Sequence, residues 1–453
     1  MSHFLSPTKH IPGLRSVSTG AAFLLPGVAL VLQSGYSYGA ALLFIAAIAS
    51  VHKWIRSPHD RATWLMFASM LAMAVLWMSI ADPSERAGQW DRPAKFVAGA
   101  ICLLFATVHP PRPRLFYWGL VAGCLGAGAV ALWQVHVEGA PRASGFPTKH
   151  TNAIQWGNLA LLMAVMLLVQ ALCMRKRLDG RGKLLAGVAV LAGLHGSVLS
   201  QSRGGWLALL LAIPVGLLLL YRIDRRAVLK AMAGLAALIA LVGVMNYQVV
   251  AQRFHIMEQE VQTYDTARDA SSSVGQRMEH WRFAVDMIKE KPLLGWGFAP
   301  YMEQKAERAA AGKYHPAIVE YKFVHNEVLD VLVKRGVIGL LALLSFYAIP
   351  VFMFWPTRGR LARHADTAKR DQILALRLSG LAIPVLYIGF GLTQVFFAHN
   401  SGIMFYLFAV IVNWSALVGV ERDDGRGWPA ERPVPPCRHR RPAPSRGRRG
   451  SAS

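Results

Sequence analysis

Apolar residues gather in runs of roughly 15 to 21 positions, separated by short polar stretches that carry most of the Lys and Arg. A helix rises about 1.5 Å per residue, so each run approaches the length needed to cross the roughly 30 Å hydrocarbon core of a bilayer. Twelve spans are expected, at 17–34, 38–52, 62–80, 96–109, 115–134, 153–173, 184–200, 205–221, 228–247, 336–355, 379–396 and 401–419. The runs at 38–52 and 96–109 are short and fit tilted or partly buried helices. Pro26, Pro214, Pro350 and Pro384 lie inside spans and predict kinks that neighbouring helices accommodate. The predicted fold class is all-α, a polytopic membrane bundle. Spans one to nine occupy 1–247, a long connecting segment with amphipathic helices occupies 248–335, spans ten to twelve occupy 336–420, and a tail occupies 421–453.

The basic residues orient this bundle, because Lys and Arg are retained on the cytoplasmic side. Alternate connectors are rich in them: Lys9 and Arg15, "HKWIRSPHDR", "HPPRPR", "MRKRLDGRGK", "YRIDRRAVLK" and "PTRGRLARHADTAKR". The short connectors of the other set hold only Arg86, Arg92, Lys95, Arg142, Lys149 and Arg203. Both termini are therefore expected in the cytoplasm, and the first run lacks the small-residue site of a cleaved signal. The net charge of +24 belongs to the inner connectors and the Arg-rich tail, so topology and contact with anionic membrane lipids explain it without nucleic acid. The tail is Pro/Arg/Ser-rich with no apolar period, the composition of a disordered segment. Cys102, Cys124 and Cys173 lie in spans and Cys437 in the tail, which leaves no outer-face disulfide.

The outer face carries the candidate chemistry. Its connector at about 248–322 is far longer than joining two spans requires, which points to function. Within it "GQRMEHWRFAVDMIKEKPLLGWGF" predicts an amphipathic helix with Trp281, Ala284, Val285 and Ile288 on one face, stopped by Pro292 and a Gly-rich turn. Three further clusters share that face: "EGAPRASGFPTKHTN" with Arg142, Lys149 and His150; "HGSVLSQSRGGW" with Gln201 and Arg203; and "EYKFVHNEVLDVLVKRGVIG" with His325 and Asn326. Each residue has a structural alternative. Arg203 fits a helix-end Arg reaching for the interface, Arg142 and Lys149 fit loop charges, Asn326 fits a helix cap, and Arg277, His280 and Trp281 fit helix surface and packing. Two glycines after Arg203 favour function, since they would let a ligand approach the backbone.

Together the residues suggest chemistry on an anion. Arg stays charged and binds phosphate oxygens bidentately, so fixed guanidiniums at a membrane surface suit a lipid-linked phosphate or diphosphate. His325 stands where a helix begins, and the positive end of the helix dipole favours a neutral ring able to accept a proton. The chain has no G-x-x-x-x-G-K-[ST] loop, no G-x-G-x-x-G fingerprint, and no metal-spaced His/Cys set on the outer face. Activation is then expected to reside in the substrate, with no cofactor and no metal; a polyprenyl diphosphate–sugar bond fits. For one site to form, Arg142, Arg203 and His325 must meet, which requires spans five to eight and ten to be neighbours.

"RASGFPTKHTNAIQWG", "LSQSRGGWLALLLA", "RMEHWRFAVDMIKEKPLLGWGFAPY" and "FVHNEVLDVLVKRGVIGLL", covering about 140–340, resemble segments of the bacterial O-antigen ligase family. That family shares its membrane domain with O-antigen polymerases and protein O-oligosaccharyltransferases. The resemblance implies a GT-C-like, metal-independent, inverting glycosyltransferase in the bacterial inner membrane with a periplasmic site. The donor would be a glycan on undecaprenyl diphosphate and the acceptor a sugar of the lipid A core. It further implies His325 as catalytic residue and Arg203, Arg142 and Arg277 as diphosphate ligands, with Asn326, Lys149 and Gln201 in support. Polymerase and protein-glycosylating activities share these motifs. A rival of another class is a transporter or lipid flippase, in which His195, Gln201, Gln394 and His399 would line a path.

Overall fold

The computed structural model describes residues 12–79, 88–146, 152–223, 233–364 apart from positions 235, 238, 239, 242, 245, 246 and 363, and 366–422. Lys149, His150, most of the expected ninth span at 228–247 and nearly all of the tail lie outside the described residues. Every regular element described is helical. In chain order these are α1 Pro12–Gly27, α2 Tyr38–Ala49, α3 Val51–Trp54, α4 Arg61–Met78, α5 Gly88–Val108, α6 Pro113–Leu132, α7 Ala153–Cys173, α8 Gly180–Leu199 and α9 Arg203–Ile223. They continue as α10 Tyr247–Ala267, α11 Ser273–Glu290, α12 Phe298–Ala310, α13 Glu327–Phe354, α14 Arg358–Ala362, α15 Thr367–Gly391 and α16 Asn400–Arg422.

The starts of these helices are written locally. Asp60, Asn152, Asp179, Ser272, Asn326 and Asp366 each turn a side-chain oxygen onto free backbone N–H groups of the first turn, the usual N-cap bond. Among the described residues seven helices are long and apolar enough to cross a membrane: α4, α6 extended to Val137, α7, α8, α13, α15 and α16. Gly35–Ala49 and Arg203–Leu219 are shorter apolar helices. The chain is thus a polytopic helical membrane protein. α16 is its centre, with 94% of its apolar window buried, against 33% for α13 at the edge.

α6, α7 and α8 pack on one another, and α15 lies against α7, α9, α13 and α16. Spans six, eight and ten are therefore gathered through span eleven, whose helix touches α7, α9 and α13.

The outer helices α11 and α12 have a core of their own, in which Phe283, Ala284, Met287, Tyr301, Ile318 and Val333 are buried. The buried face of α11 is His280, Phe283, Ala284 and Met287, a clean i, i+3, i+4, i+7 stripe. This corrects the expected face. Val285 is exposed, while Trp281 and Ile288 flank the core, because α11 is gripped from the side of α13 and the turn at 316–320.

α13 is broken at Gly336, which has φ 62° and ψ −163°. The stretch after α11 is spliced into that break. Trp296 N–H donates to Val333 O at 2.8 Å, Gly297 N–H to Lys334 O at 2.9 Å, and Val337 N–H to Pro292 O at 2.9 Å. The break accounts for a membrane span expected from 336 although the helix begins at Glu327. The first turns of α13 belong to the outer layer, where Lys334 and Asp330 form a fully buried ion pair of 2.6 Å.

Candidate active site

Arg203 opens α9 directly after a turn in which Gln201 has φ 56°. The turn is pinned by Ser202 Oγ, which donates to Asn158 Oδ1 at 2.8 Å inside the bundle. Gly204 and Gly205 serve this packing. A Cβ on Gly204 would lie 2.2 Å from Thr393 Oγ1, and one on Gly205 would lie 2.8 Å from Asn158 Oδ1. The glycine pair therefore admits α7 and the stretch after α15, which corrects the expectation that it exposes backbone to a ligand.

The Arg203 guanidinium meets Glu260 of α10 at 3.3 Å. Arg277 of α11 bonds Ser273 Oγ at 3.0 Å and keeps a buried Nε with no partner among the described atoms. Burial, and next the charge of Arg203, lower the Arg277 pKa from its ordinary value. Both arginines line a cavity of about 490 Å³ whose other walls are largely apolar, including Trp206, Phe254, Trp281 and Thr393. Two guanidiniums at the wall of an apolar chamber have the chemistry to suit an anionic headgroup with a hydrocarbon tail.

Beside Thr393 is Gln394, whose side-chain oxygen lies 2.8 Å from His325 Nδ1. His325 has φ 57°, a left-handed conformation unusual for a residue with a side chain. Its ring packs edge-on to His280 at 5.8 Å and Tyr321 at 5.1 Å between centroids. Burial lowers the His325 pKa most; Arg277 and Lys305 also lower it, while the Gln394 bond and Asp330 act the other way. The imidazole is thus held neutral near pH 7, as a proton acceptor must be.

Asn326 caps α13 through Val328 N–H and Leu329 N–H, both at 3.1 Å, and donates from Nδ2 to Leu392 O at 3.2 Å. Glu327 accepts Phe397 N–H at 3.1 Å. Three consecutive residues, His325, Asn326 and Glu327, are therefore fastened to the stretch 392–397 that follows α15.

Arg142 and Gln201 lie in the loop after α6 and in the turn before α9. Arg142 is exposed in the loop after α6, and that loop is tied to the end of α8 by Ala143 N–H donating to Leu199 O at 2.9 Å. Gln201 Nε2 donates to Pro141 O at 2.9 Å, so its visible work is to hold the Arg142 loop beside Arg203. Arg142 itself is not part of the cavity wall. Sequence reasoning missed Glu260 and Thr393, and it read Gln394 only as a polar residue for a transport path. Glu260 lacked any signal, being one acid among several on α10; Gln394 was legible as a polar residue between two apolar spans. His280, read as packing, is fully buried with neither ring nitrogen partnered among the described atoms. Among the described residues no group of three or more His, Cys, Asp and Glu is arranged to hold a metal ion.

The O-antigen ligase family model matches residues 187–344, a segment that includes Arg203, Arg277 and His325. An uncharacterised protein of Haemophilus influenzae strain Rd is 26% identical over 391 residues, covering 84% of this chain and 94% of that protein.

Proposed function

We propose that this chain, a member of the O-antigen ligase family through residues 187–344, is the glycosyltransferase that moves O-antigen polysaccharide from undecaprenyl diphosphate to a sugar of the lipid A core. The observation that carries this reading is the pair Arg203 and Arg277 in an apolar chamber of about 490 Å³, with His325 close enough to feel the Arg277 charge. The chamber suits a prenyl tail, and the arginines suit its diphosphate.

In the reaction His325 takes the proton of the acceptor hydroxyl as that oxygen attacks the anomeric carbon. The bond from that carbon to the diphosphate oxygen breaks, and its electron pair leaves with the diphosphate. Attack opposite the leaving group inverts the anomeric centre. Negative charge grows on the departing diphosphate, and guanidiniums in a desolvated site stabilise it more than water does. Arg142, on the loop that Gln201 tethers, and Lys149 are assigned as further cations for the diphosphate.

This mechanism needs no metal and no cofactor. Twelve spans, a GT-C-like arrangement, cytoplasmic termini and a periplasmic site in the bacterial inner membrane complete the proposal. The test is transfer by purified protein from lipid-linked glycan to lipid A-core, without nucleotide or ion gradient. Arg203→Ala and Arg203→Lys should both be impaired, since Lys keeps the charge but loses the planar fork. EDTA should leave the rate unchanged; inhibition reversed by a divalent ion would overturn the metal-free mechanism. Transfer of the glycan onto another undecaprenyl-linked glycan instead would make the protein a polymerase.

A further inference from the structure

We propose that Gln394 is a positioning residue that fixes the His325 tautomer, placing hydrogen on Nδ1 and leaving Nε2 as the basic atom. The inference rests on the reading of His325 as the proton acceptor and adds the group that decides which nitrogen does the work.

Gln394 is buried in the stretch between α15 and the 3₁₀ turn Phe396–Ala398. Its Oε1 accepts Val395 N–H at 3.2 Å and lies 2.8 Å from His325 Nδ1. The backbone N–H identifies the amide atom, since it can only donate and so must face the oxygen rather than the NH₂. An amide oxygen can only accept, so Nδ1 must supply the hydrogen. A neutral imidazole has one donor and one acceptor nitrogen, which leaves the lone pair on Nε2.

The surroundings hold this arrangement firmly. Asn326 Nδ2 bonds Leu392 O and Glu327 accepts Phe397 N–H, so the strained His325 backbone is clamped on the same stretch that carries Gln394. Phe396 and Phe397 are wedged among Tyr347, Tyr387 and Tyr406 at ring separations of 5.2 to 5.8 Å. The acceptor therefore sits on a packed aromatic platform. The other groups facing His325 are Arg277 from α11, Lys305 from α12, Asp330 from α13, and the rings of His280 and Tyr321. None of these hydrogen-bonds the His325 ring among the described atoms.

The experiment compares wild type, Gln394→Leu, Gln394→Glu and His325→Gln. Nitrogen-15 NMR of histidine-labelled protein in nanodiscs, with His325→Gln identifying the signal, should give a protonated Nδ1 and an unprotonated Nε2 in wild type, and a tautomer mixture in Gln394→Leu. Gln394→Leu should lose at least about 10-fold in kcat with donor KM little changed. Gln394→Glu keeps an acceptor and adds negative charge, so its transfer should survive while the acid limb of kcat/KM moves to higher pH by about one unit or more. A wild-type tautomer together with wild-type kcat in Gln394→Leu would overturn the proposal, as would an unmoved acid limb in Gln394→Glu. Normal transfer by His325→Gln would instead bring down the proton-acceptor reading. The tautomer measurement needs no turnover and decides Gln394's role over the ring separately.

Discussion

His325 is kept in a backbone conformation that its side chain disfavours, and such strain persists only where neighbours over-determine it. The neighbours here are three successive side-chain or backbone bonds to residues 392–397. In the proposed mechanism the working form of the ring is the neutral one, and its pKa is pushed below the ordinary histidine value mainly by burial. Donor-saturated transfer should therefore stay level as pH falls through about 6.5 and decline only at lower pH; an acid limb at or above that value would contradict the cause given. Glu260 pairs with the Arg203 guanidinium at 3.3 Å, and in the proposed reaction it would compete with the diphosphate for it. Glu260→Gln removes this competing anion, so donor KM should fall severalfold with kcat little changed, measured in the same assay. His280 is a second buried ring, with its pKa pushed down to about 2 by burial and then by Lys305, His325 and Lys334. Below pH 6.5 the unfolded chain protonates this ring and the folded one does not, so its support is complete above that pH and is lost as pH falls. At pH 5 the loss is about 2 kcal/mol. Thermal unfolding in detergent should show a smaller drop between pH 7 and pH 5 for His280→Phe than for wild type.

At the scale of elements, the apolar runs foretold most of the described helices because length and hydropathy act locally. The arginine and histidine motifs were equally plain, since each is a short signal on one connector. What the pattern could not supply is partnership. The glycine pair after Arg203 looked like access for a ligand because sequence cannot show that Thr393 and Asn158 press against it. The apolar face of α11 was misjudged by the inclusion of Val285, since helical period defines a stripe but tertiary contact decides its centre. Gly336 was visible only as one glycine at the start of an apolar run. Its role depends on a segment about forty residues upstream, whose docking leaves no room for a side chain: a Cβ would lie 2.1 Å from Leu293 O, at a φ of 62°. Gly336→Ala should accordingly destabilise the protein by about 1–3 kcal/mol, read as a lower unfolding temperature together with loss of transfer. Full stability in that variant would mean that the splice yields without cost.

For the whole molecule, the arrangement is a buried axis, α16, surrounded by spans from whose ends the candidate site residues come. The arginine cavity draws its walls from α9, α10, α11 and Thr393, while the histidine is fastened between α13 and the stretch after α15. Candidate groups close together in space thus come from segments separated by more than a hundred residues. The splice at Gly336 bears on how such a protein can be recombined. The intuitive seam for exchanging outer loops between relatives is the membrane boundary near residue 336, yet that seam cuts through backbone bonds shared by 292–297 and 333–337. A hybrid joined there would take the accepting carbonyls of Pro292 and Leu293 from one parent and the donating N–H groups of Val337 and Ile338 from the other. A transplanted segment must instead run unbroken from Pro292 past Ile338, so specificity swaps between relatives must carry the spliced stretch and the start of span ten together.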